Sequence, residues 1–428
     1  MNSLENLYQE FGDNICLCPF FGAFYQTNNV VSIDVESQPN SVRPCSLVMY
    51  DDRNHWDVKE NSITKSRNSD AWRQMRQDFL DNKFNEIASC KVCRDNEQSG
   101  ATSPRMMNNK FLCEQLNTNI NKAMHKIVKN DLMVSDIITL DYYPSNYCNY
   151  SCVMCSGGAS SQRQVFELKF LIDKQEKIVL NAKDPDFYEL LKQVEIINFT
   201  GGETVLQKQV YELIDYLIQE KLASNITITL LTNASSYPEE LMEKFSQFKG
   251  VVYNISIDGI GDVIEYQRRG CSWSTVEANS VKLLSVGYIG IVINYVLTAI
   301  NVFSVMDFVD WAYSHNIGPK YIDDLDVSFI NISPVFRLDF LGQEVLPPEL
   351  KEIAVDRLQQ GKLRYSAKSG VLELYYTRLI DRIIHIVKSA KHQPSYLPQF
   401  KNYIRKEDTA SKKSLVEVVP EWTSYFQS

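Results

Sequence analysis

The sequence predicts an α/β fold: a parallel sheet flanked by helices, with a small cysteine-rich unit before it and a helical extension after it. Three observations carry that expectation. Between residues 114 and 340, six short β-branched or aromatic runs alternate with helical stretches. Strand–helix alternation of that kind means a parallel sheet, either closed as a barrel or open. Six of the ten cysteines fall before residue 114, where regular periodicity is sparse, and from 341 to 428 only helical signals are found.

The bulk properties restrict the function classes. The formal net charge of −9 argues against a nucleic-acid partner or an anionic membrane surface. The opening "MNSLENLYQEFGDN" has no basic stretch followed by an apolar one, so it does not read as a signal peptide. No uninterrupted apolar run of about 18 residues is found, so no membrane span is expected. A reducing, cytoplasmic setting follows, in which clustered cysteines are metal ligands or catalytic thiols and not a disulfide framework.

Taken in order, residues 1–113 contain a strand signal at "VVSIDVE" and an amphipathic helix at "DAWRQMRQDFLDNKF", with Trp72, Met75, Phe79 and Leu80 on one face. The rest of that unit reads as loops held by something other than a large core. In 114–340 the strands are "DIITLDYY", "VEIINFTGG", "NITITLLTN", "VVYNISID", "GIVINYVLTA" and "DVSFINIS". The helices between them are "SSQRQVFELKFLIDKQ", "LQKQVYELIDYLIQEKL", "YPEELMEKFSQF", "STVEANSVKLLSVG" and "VFSVMDFVDWAYSHNIG". Ser236 is placed as N-cap of the third, with Pro238 near its first turn. Residues 341–428 are helical at "PPELKEIAVDRLQQ" and "VLELYYTRLIDRIIHIVKSAKH", then irregular.

The chemistry concentrates in "NYCNYSCVMCSGG", where Cys148, Cys152 and Cys155 follow the first strand at C-x3-C-x2-C spacing. That is a strand's C-terminal end, where sites in parallel α/β folds belong. A structural zinc site takes four protein ligands, and no fourth Cys or His stands nearby in the sequence. A cuboidal iron–sulfur cluster suits three thiolates better: they hold three irons and leave the fourth open to a small molecule.

This spacing, after the first strand of a six-unit βα domain, resembles the radical S-adenosylmethionine (radical SAM) superfamily. The resemblance implies a partial (β/α)6 barrel, a [4Fe–4S] cluster on Cys148, Cys152 and Cys155, and S-adenosylmethionine (SAM) on the open iron. It implies reductive cleavage of SAM to a 5′-deoxyadenosyl radical that takes a hydrogen atom from substrate, with electrons from a donor such as flavodoxin or ferredoxin. Met154, before the third cysteine, stands where the family packs a side chain, often aromatic, on adenine. "NFTGGETV" supplies Gly201, Gly202 and Glu203 as the family's Gly-Gly-Glu, facing the SAM amino group. Thr232 and Asn233 end the third strand, and Ser256 and Asp258 the fourth, at positions similar to the ribose and carboxylate contacts. In "EYQRR", Arg268 or Arg269 stands as partner of the SAM carboxylate. The matches span residues 136–335.

In the first unit, "NICLCPFFGAF", "VRPCSLVMYDD" and "CKVCRDNEQSGATSPR" supply Cys16, Cys45, Cys90 and Cys93. Four thiolates in two halves is also a zinc pattern. The stretches resemble the SPASM/twitch auxiliary-cluster domains of radical SAM enzymes, which implies a second cluster, [4Fe–4S] or [2Fe–2S], on those four residues. The last stretch is similar to twitch proteins that run C-x2-C, Glu, Gly, Ser, Arg. Cys18 competes with Cys16; Cys16 is preferred because Pro19 and Phe20 then fall at the family's offset. In the family this unit usually follows the barrel, whereas here it precedes it.

Cys113 and Cys271 read as structural thiols, with hydrogen donation to a substrate radical as the alternative for Cys271. His55, His125, His315, His385 and His392 show no ligand spacing, and Tyr142, Tyr143, Tyr147 and Tyr150 are expected to shield the cluster. The leading expectation for function is a peptide maturase, acting on a peptide or protein substrate, with a peptide-binding partner protein as a further expectation. The alternatives are a small-molecule substrate (sugar, amino acid or nucleoside) and, from another class, a non-enzymatic zinc or iron–sulfur scaffold.

Overall fold

A computed structural model describes residues 3–13, 15–26, 30–31, 36–37, 41–43, 62–87, 90–98, 103–116, 120–135, 137–170, 187–287, 289–319, 329–335 and 338–427. The strands, in chain order, are β1 (Gly22–Gln26), β2 (Val30–Val31), β3 (Glu36–Ser37), β4 (Ser41–Arg43), β5 (Thr139–Tyr143), β6 (Ser151–Cys152), β7 (Ile196–Phe199), β8 (Thr227–Thr232), β9 (Gly250–Ser256), β10 (Arg268–Arg269), β11 (Gly290–Leu297) and β12 (Ile330–Pro334). Eight of them form one sheet in the order β12-β11-β9-β8-β7-β5-β1-β4. Every pairing from β12 to β1 is parallel, and β4 closes the edge antiparallel to β1.

Six of these strands are the six βα strands read from the sequence. Their alternation is visible in β8 and β9, where every second residue is buried; side chains of a strand point to opposite faces in turn. Because the strands run parallel, β5, β7, β8 and β9 deliver Tyr143, Phe199, Thr232 and Ser256 to the same edge. Helices Lys208–Gln219, Glu239–Phe245, Trp273–Leu284 and Val305–Ser314 connect them, and their apolar faces join the strands in one continuous core. In the third of the expected helices Pro238, not Ser236, is the N-cap residue.

The N-terminal unit is more helical than its composition suggests. Helices Ser3–Phe11, Asp70–Leu80, Lys91–Gln98 and Pro104–Leu116 surround a second apolar cluster that includes Leu7, Phe20, Met75, Phe79, Leu112 and Met124. The expected amphipathic helix runs 70–80 and buries Trp72, Met75 and Phe79, with Arg76 beside them. The expected single strand "VVSIDVE" is instead the antiparallel pair β2 and β3 where it is described. Helix Pro104–Leu116 runs through the expected boundary at 113, and β1 pairs along its whole length with β5. The first unit therefore contributes a strand to the main sheet.

Beyond residue 341, helices Pro348–Ser366 and Val371–Ser389 fall where the sequence places them. The stretch expected to be irregular contains a sixteen-residue helix, Tyr396–Ser411. Pro398 obscures it in the sequence, but it lies in the first turn, where backbone N–H groups have no helical acceptor to lose. Among the described residues no helix is long and apolar enough to cross a membrane.

Candidate active site

The cysteine loop leaves β5 and folds back on itself. Ser161 donates its N–H to the Asn146 carbonyl at 2.7 Å, and Asn146 donates to the Gly157 carbonyl at 3.0 Å. Ser160 caps helix Ser161–Phe170 by accepting from Arg163 N at 3.0 Å, and its hydroxyl donates to the Tyr150 carbonyl at 2.5 Å. The short strand β6 then pairs antiparallel with β10, setting Cys152 opposite Arg268. The result is a compact apolar cluster of Cys148, Tyr150 and Cys152, against which Met154, Cys155 and Cys271 pack.

Burial governs the thiols. It pushes Cys148 up to about 11 and Cys152 well above the ordinary thiol range, although Arg268 pulls Cys152 the other way. Buried thiols of this kind give up their protons when a cation arrives to replace them. The donor set therefore fits a positively charged iron–sulfur group on Cys148, Cys152 and Cys155. Among the described residues no three Cys, His, Asp or Glu side chains stand close enough to share one metal ion; a cuboidal cluster spreads its thiolates wider, since each binds a different iron.

The glycine turn after β7 is bonded directly to this loop. Gly202 donates to the Ala159 carbonyl at 3.1 Å and Glu203 to the Tyr147 carbonyl at 2.8 Å. Both glycines have positive φ, +83° at Gly201 and +54° at Gly202. A Cβ on Gly202 would lie 2.1 Å from the Tyr147 oxygen, and one on Gly201 2.5 Å from the Tyr143 ring. Only glycine permits both the turn and the approach.

Glu203 is fully enclosed. Thr232 donates its hydroxyl to one carboxylate oxygen at 2.6 Å, and Asn233 donates its backbone N–H to the other at 2.6 Å. Asn233 in turn donates to Asn149 at 2.9 Å and reaches the Cys148 sulfur at 4.0 Å. Glu203, Thr232 and Asn233 thus tie the glycine turn, the end of β8 and the cysteine loop into one unit. Burial pushes the Glu203 carboxyl up to about 7, against the two donors that pull it down. The folded protein holds that proton more tightly than the unfolded chain does. The stability this contributes is complete below pH 4.5, the ordinary glutamate value, and is lost as pH rises to about 7. In the metal-free protein, Glu203→Gln should remove a stability difference on the order of 2–3 kcal/mol between about pH 5 and about pH 8. Denaturant midpoints at the two pH values check this, and an unchanged difference in the variant would refute it.

The remaining expected site residues are distributed less uniformly. Ser256 ends β9, half-buried. Asp258 is fully buried and pairs with Arg268 at 2.6 Å, while its other oxygen accepts from Val296 N at 2.8 Å. The charge of Arg268 is thereby matched by Asp258 beside Cys152. Arg269 turns away, to Glu407. Of the four tyrosines, Tyr150 is buried and hydrogen-bonded to Cys271, Tyr143 lies under the glycine turn, Tyr142 packs on Phe187 and Phe199 in the core, and Tyr147 is 53% exposed.

A buried polar network behind the loop was not legible in the sequence. Arg163 pairs with Glu407 at 2.7 Å and contacts Tyr403, whose hydroxyl donates to the Val153 carbonyl at 2.6 Å. Arg163 and Arg269 both stack on Phe166, at 4.2 Å and 4.5 Å. The signal available was Arg163 in the first turn of a helix, an unfavourable place for a cation unless it has a partner.

In the N-terminal unit, Cys16 and Cys18 hydrogen-bond to each other, and Cys90 and Cys93 lie near enough to influence Cys16 electrostatically. Cys45 falls outside the described residues. Cys113 is buried in the same apolar cluster.

Known proteins resemble the central part of the chain. Residues 142–312 match the radical SAM superfamily. The match includes all three loop cysteines, the glycine turn, and β8 to β11. Over 171 residues the chain is 26% identical to the mycofactocin maturase MftC of Mycobacterium tuberculosis, in both its CDC 1551 / Oshkosh and H37Rv strains. That stretch is 39% of this chain, and the chain spans 39% of the length of these curated relatives. Among solved structures, native anSMEcpe with bound AdoMet has 18% identity and a TM-score of 0.37, over 54% of this chain and 62% of that one. SuiB of Streptococcus suis bound to S-adenosylmethionine has 18% identity and a TM-score of 0.34, over 56% and 49%.

Proposed function

We propose that this protein cleaves SAM reductively at a [4Fe–4S] cluster held by Cys148, Cys152 and Cys155 and abstracts hydrogen from a peptide or protein substrate. The observation that carries this reading is the direct bonding of the Gly201–Gly202–Glu203 turn onto the three-cysteine loop at the C-terminal edge of the sheet. Bound there, the cluster and SAM supply a 5′-deoxyadenosyl radical, and the protein's own part is position and exclusion of water. The glycine turn presents backbone at close range. Glu203 is held by Thr232 and Asn233, and so fixes the turn against the end of β8. Arg268, held by Asp258 opposite Cys152, favours the Cys152 thiolate. Tyr143 bonds the Gly158 carbonyl, and Tyr150 packs against Cys148 and Cys152. The peptide substrate rests on the similarity to mycofactocin maturase.

A second iron–sulfur cluster in the N-terminal unit belongs to the same reading, on Cys16, Cys45, Cys90 and Cys93, with an electron-transfer role. The gathering of Cys16, Cys18, Cys90 and Cys93 supports it and brings Cys18 forward as a ligand. Iron and sulfide per chain after anaerobic reconstitution, with a SAM-cleavage assay, tests both parts. Wild type should hold about eight irons and the Cys148/Cys152/Cys155→Ala variant about four, with 5′-deoxyadenosine lost. Zinc in place of iron, with no SAM cleavage, would overturn the reading. Candidate peptides that give no mass shift while a small molecule is turned over would overturn the substrate class alone.

A further inference from the structure

Three pieces of chain must meet to build the N-terminal thiol set: residues 13–18, helix Lys91–Gln98 and helix Pro104–Leu116. Arg105 touches all three. Its Nε and Nη2 donate to the two oxygens of Glu97 at 2.9 and 2.7 Å. Its Nη1 donates to the carbonyls of Asp13 at 2.9 Å and Ile15 at 2.8 Å. The side chain is 5% exposed and lies 4.5 Å over the Phe84 ring. Ser103 completes the clasp, donating to Glu97 at 2.5 Å and accepting from Met106 N at 3.1 Å.

The same helix face holds the loop again one turn on. Asn109, fully buried, donates to the Ile15 carbonyl at 2.7 Å and accepts from Leu17 N at 3.0 Å. Asn108 donates to the Cys18 sulfur at 3.2 Å. Residues 105, 108 and 109 share one face by helical spacing. These bonds hold the main chain that carries Cys16 and Cys18 against this helix and, through Glu97, against the helix that carries Cys93.

We propose that Arg105 is the positioning residue of the N-terminal metal site, bridging Glu97 on the Cys93 helix to the main chain that carries Cys16 and Cys18. The inference rests on the auxiliary-cluster reading and adds to it a division of labour: the "CKVCRDNEQSGATSPR" stretch supplies two ligands and, through Glu97, Ser103 and Arg105, the frame that brings the others to them. Guanidinium geometry is essential, because a lysine ammonium cannot reach a carboxylate bidentately and two carbonyls on the opposite side at once.

The test uses the Cys148/Cys152/Cys155→Ala background, in which any cluster iron belongs to the N-terminal site. Arg105→Lys and Arg105→Gln should each lower bound iron from about four per chain to under about one and remove the sulfur-to-iron charge-transfer absorption. Placed in the chain with its three loop cysteines intact, the same substitutions should leave helix content and SAM binding unchanged. Ser103→Ala, which removes one hydrogen bond to Glu97, should give a partial loss. Full iron in the Arg105 variants overturns the bridge and leaves the cluster standing. No iron in the background protein itself overturns the cluster and the bridge with it. Should the Arg105 variants lose helix content and SAM binding as well, Ser103→Ala decides: partial iron loss on an intact fold supports the bridge, and full iron overturns it.

Discussion

Gly202→Ala is expected to lower SAM affinity at least about tenfold, which corresponds to about 1.4 kcal/mol or more. Two independent effects combine. The φ of +54° is one that a residue with a Cβ adopts at a cost of about 1–3 kcal/mol. The new methyl would also stand 2.1 Å from the Tyr147 carbonyl oxygen, a backbone atom that cannot rotate out of the way. That carbonyl accepts the Glu203 N–H, so relieving the clash breaks the bond joining the glycine turn to the cysteine loop. Gly201→Ala meets the Tyr143 ring instead, at 2.5 Å. A side chain yields more readily than backbone, but this ring is buried and its hydroxyl is bonded to the Gly158 carbonyl. The expected order of affinity is wild type, then Gly201→Ala, then Gly202→Ala. Calorimetric titration of SAM into the reconstituted proteins measures it, and wild-type affinity in Gly202→Ala would show that the turn does not touch the cofactor.

The parallel sheet was legible because each of its six βα strands is a short run of β-branched or aromatic residues between helical stretches. Strand β1 was not, since "GAFYQ" has no β-branched residue and owes its place to pairing with β5, more than a hundred residues on. The cysteine loop and the glycine turn could be read because their chemistry is local in sequence: three thiols in eight residues, and two glycines where the chain must turn. The contacts that complete the site are not local. Asp258 and Arg268 each look, in sequence, like a group awaiting a ligand, and in three dimensions they meet each other. Cys271 belongs to no motif, yet it packs beside Cys148 and Cys152 because β10 brings the chain back along β6. Helix Tyr396–Ser411 was hidden by Pro398, and with it went Tyr403 and Glu407, whose partners lie more than 130 residues away.

Those last residues give the other large effect. Glu407 is 1% exposed and stands between Arg163 and Arg269, both directed at it. Two guanidinium groups around one carboxylate are tolerable in a buried setting only while the carboxylate is there. Glu407→Ala would leave Arg163, itself wholly buried, with Glu167 at 3.6 Å as its nearest carboxylate, and would remove the acidic partner of Arg269. Breaking a buried pair in this way costs about 3–5 kcal/mol, a large share of the stability of an ordinary domain. The damage should reach the metal, because Arg269 belongs to β10, which pairs with the Cys152 strand, and Tyr403 holds the Val153 carbonyl between two of the three loop cysteines. Reduced iron at the loop and a lowered denaturant midpoint are therefore expected together. Glu407→Gln keeps acceptor and shape while losing charge, so its losses should be smaller, and Tyr403→Phe should cost about 1–3 kcal/mol by losing both the bond to the Val153 carbonyl and the one its hydroxyl accepts from Arg163. If Glu407→Ala retains wild-type stability but loses iron, the network acts on the loop without supporting the fold. If it loses stability but keeps iron, the C-terminal helix braces the sheet alone, and the coupling argued from Tyr403 and Arg269 is wrong.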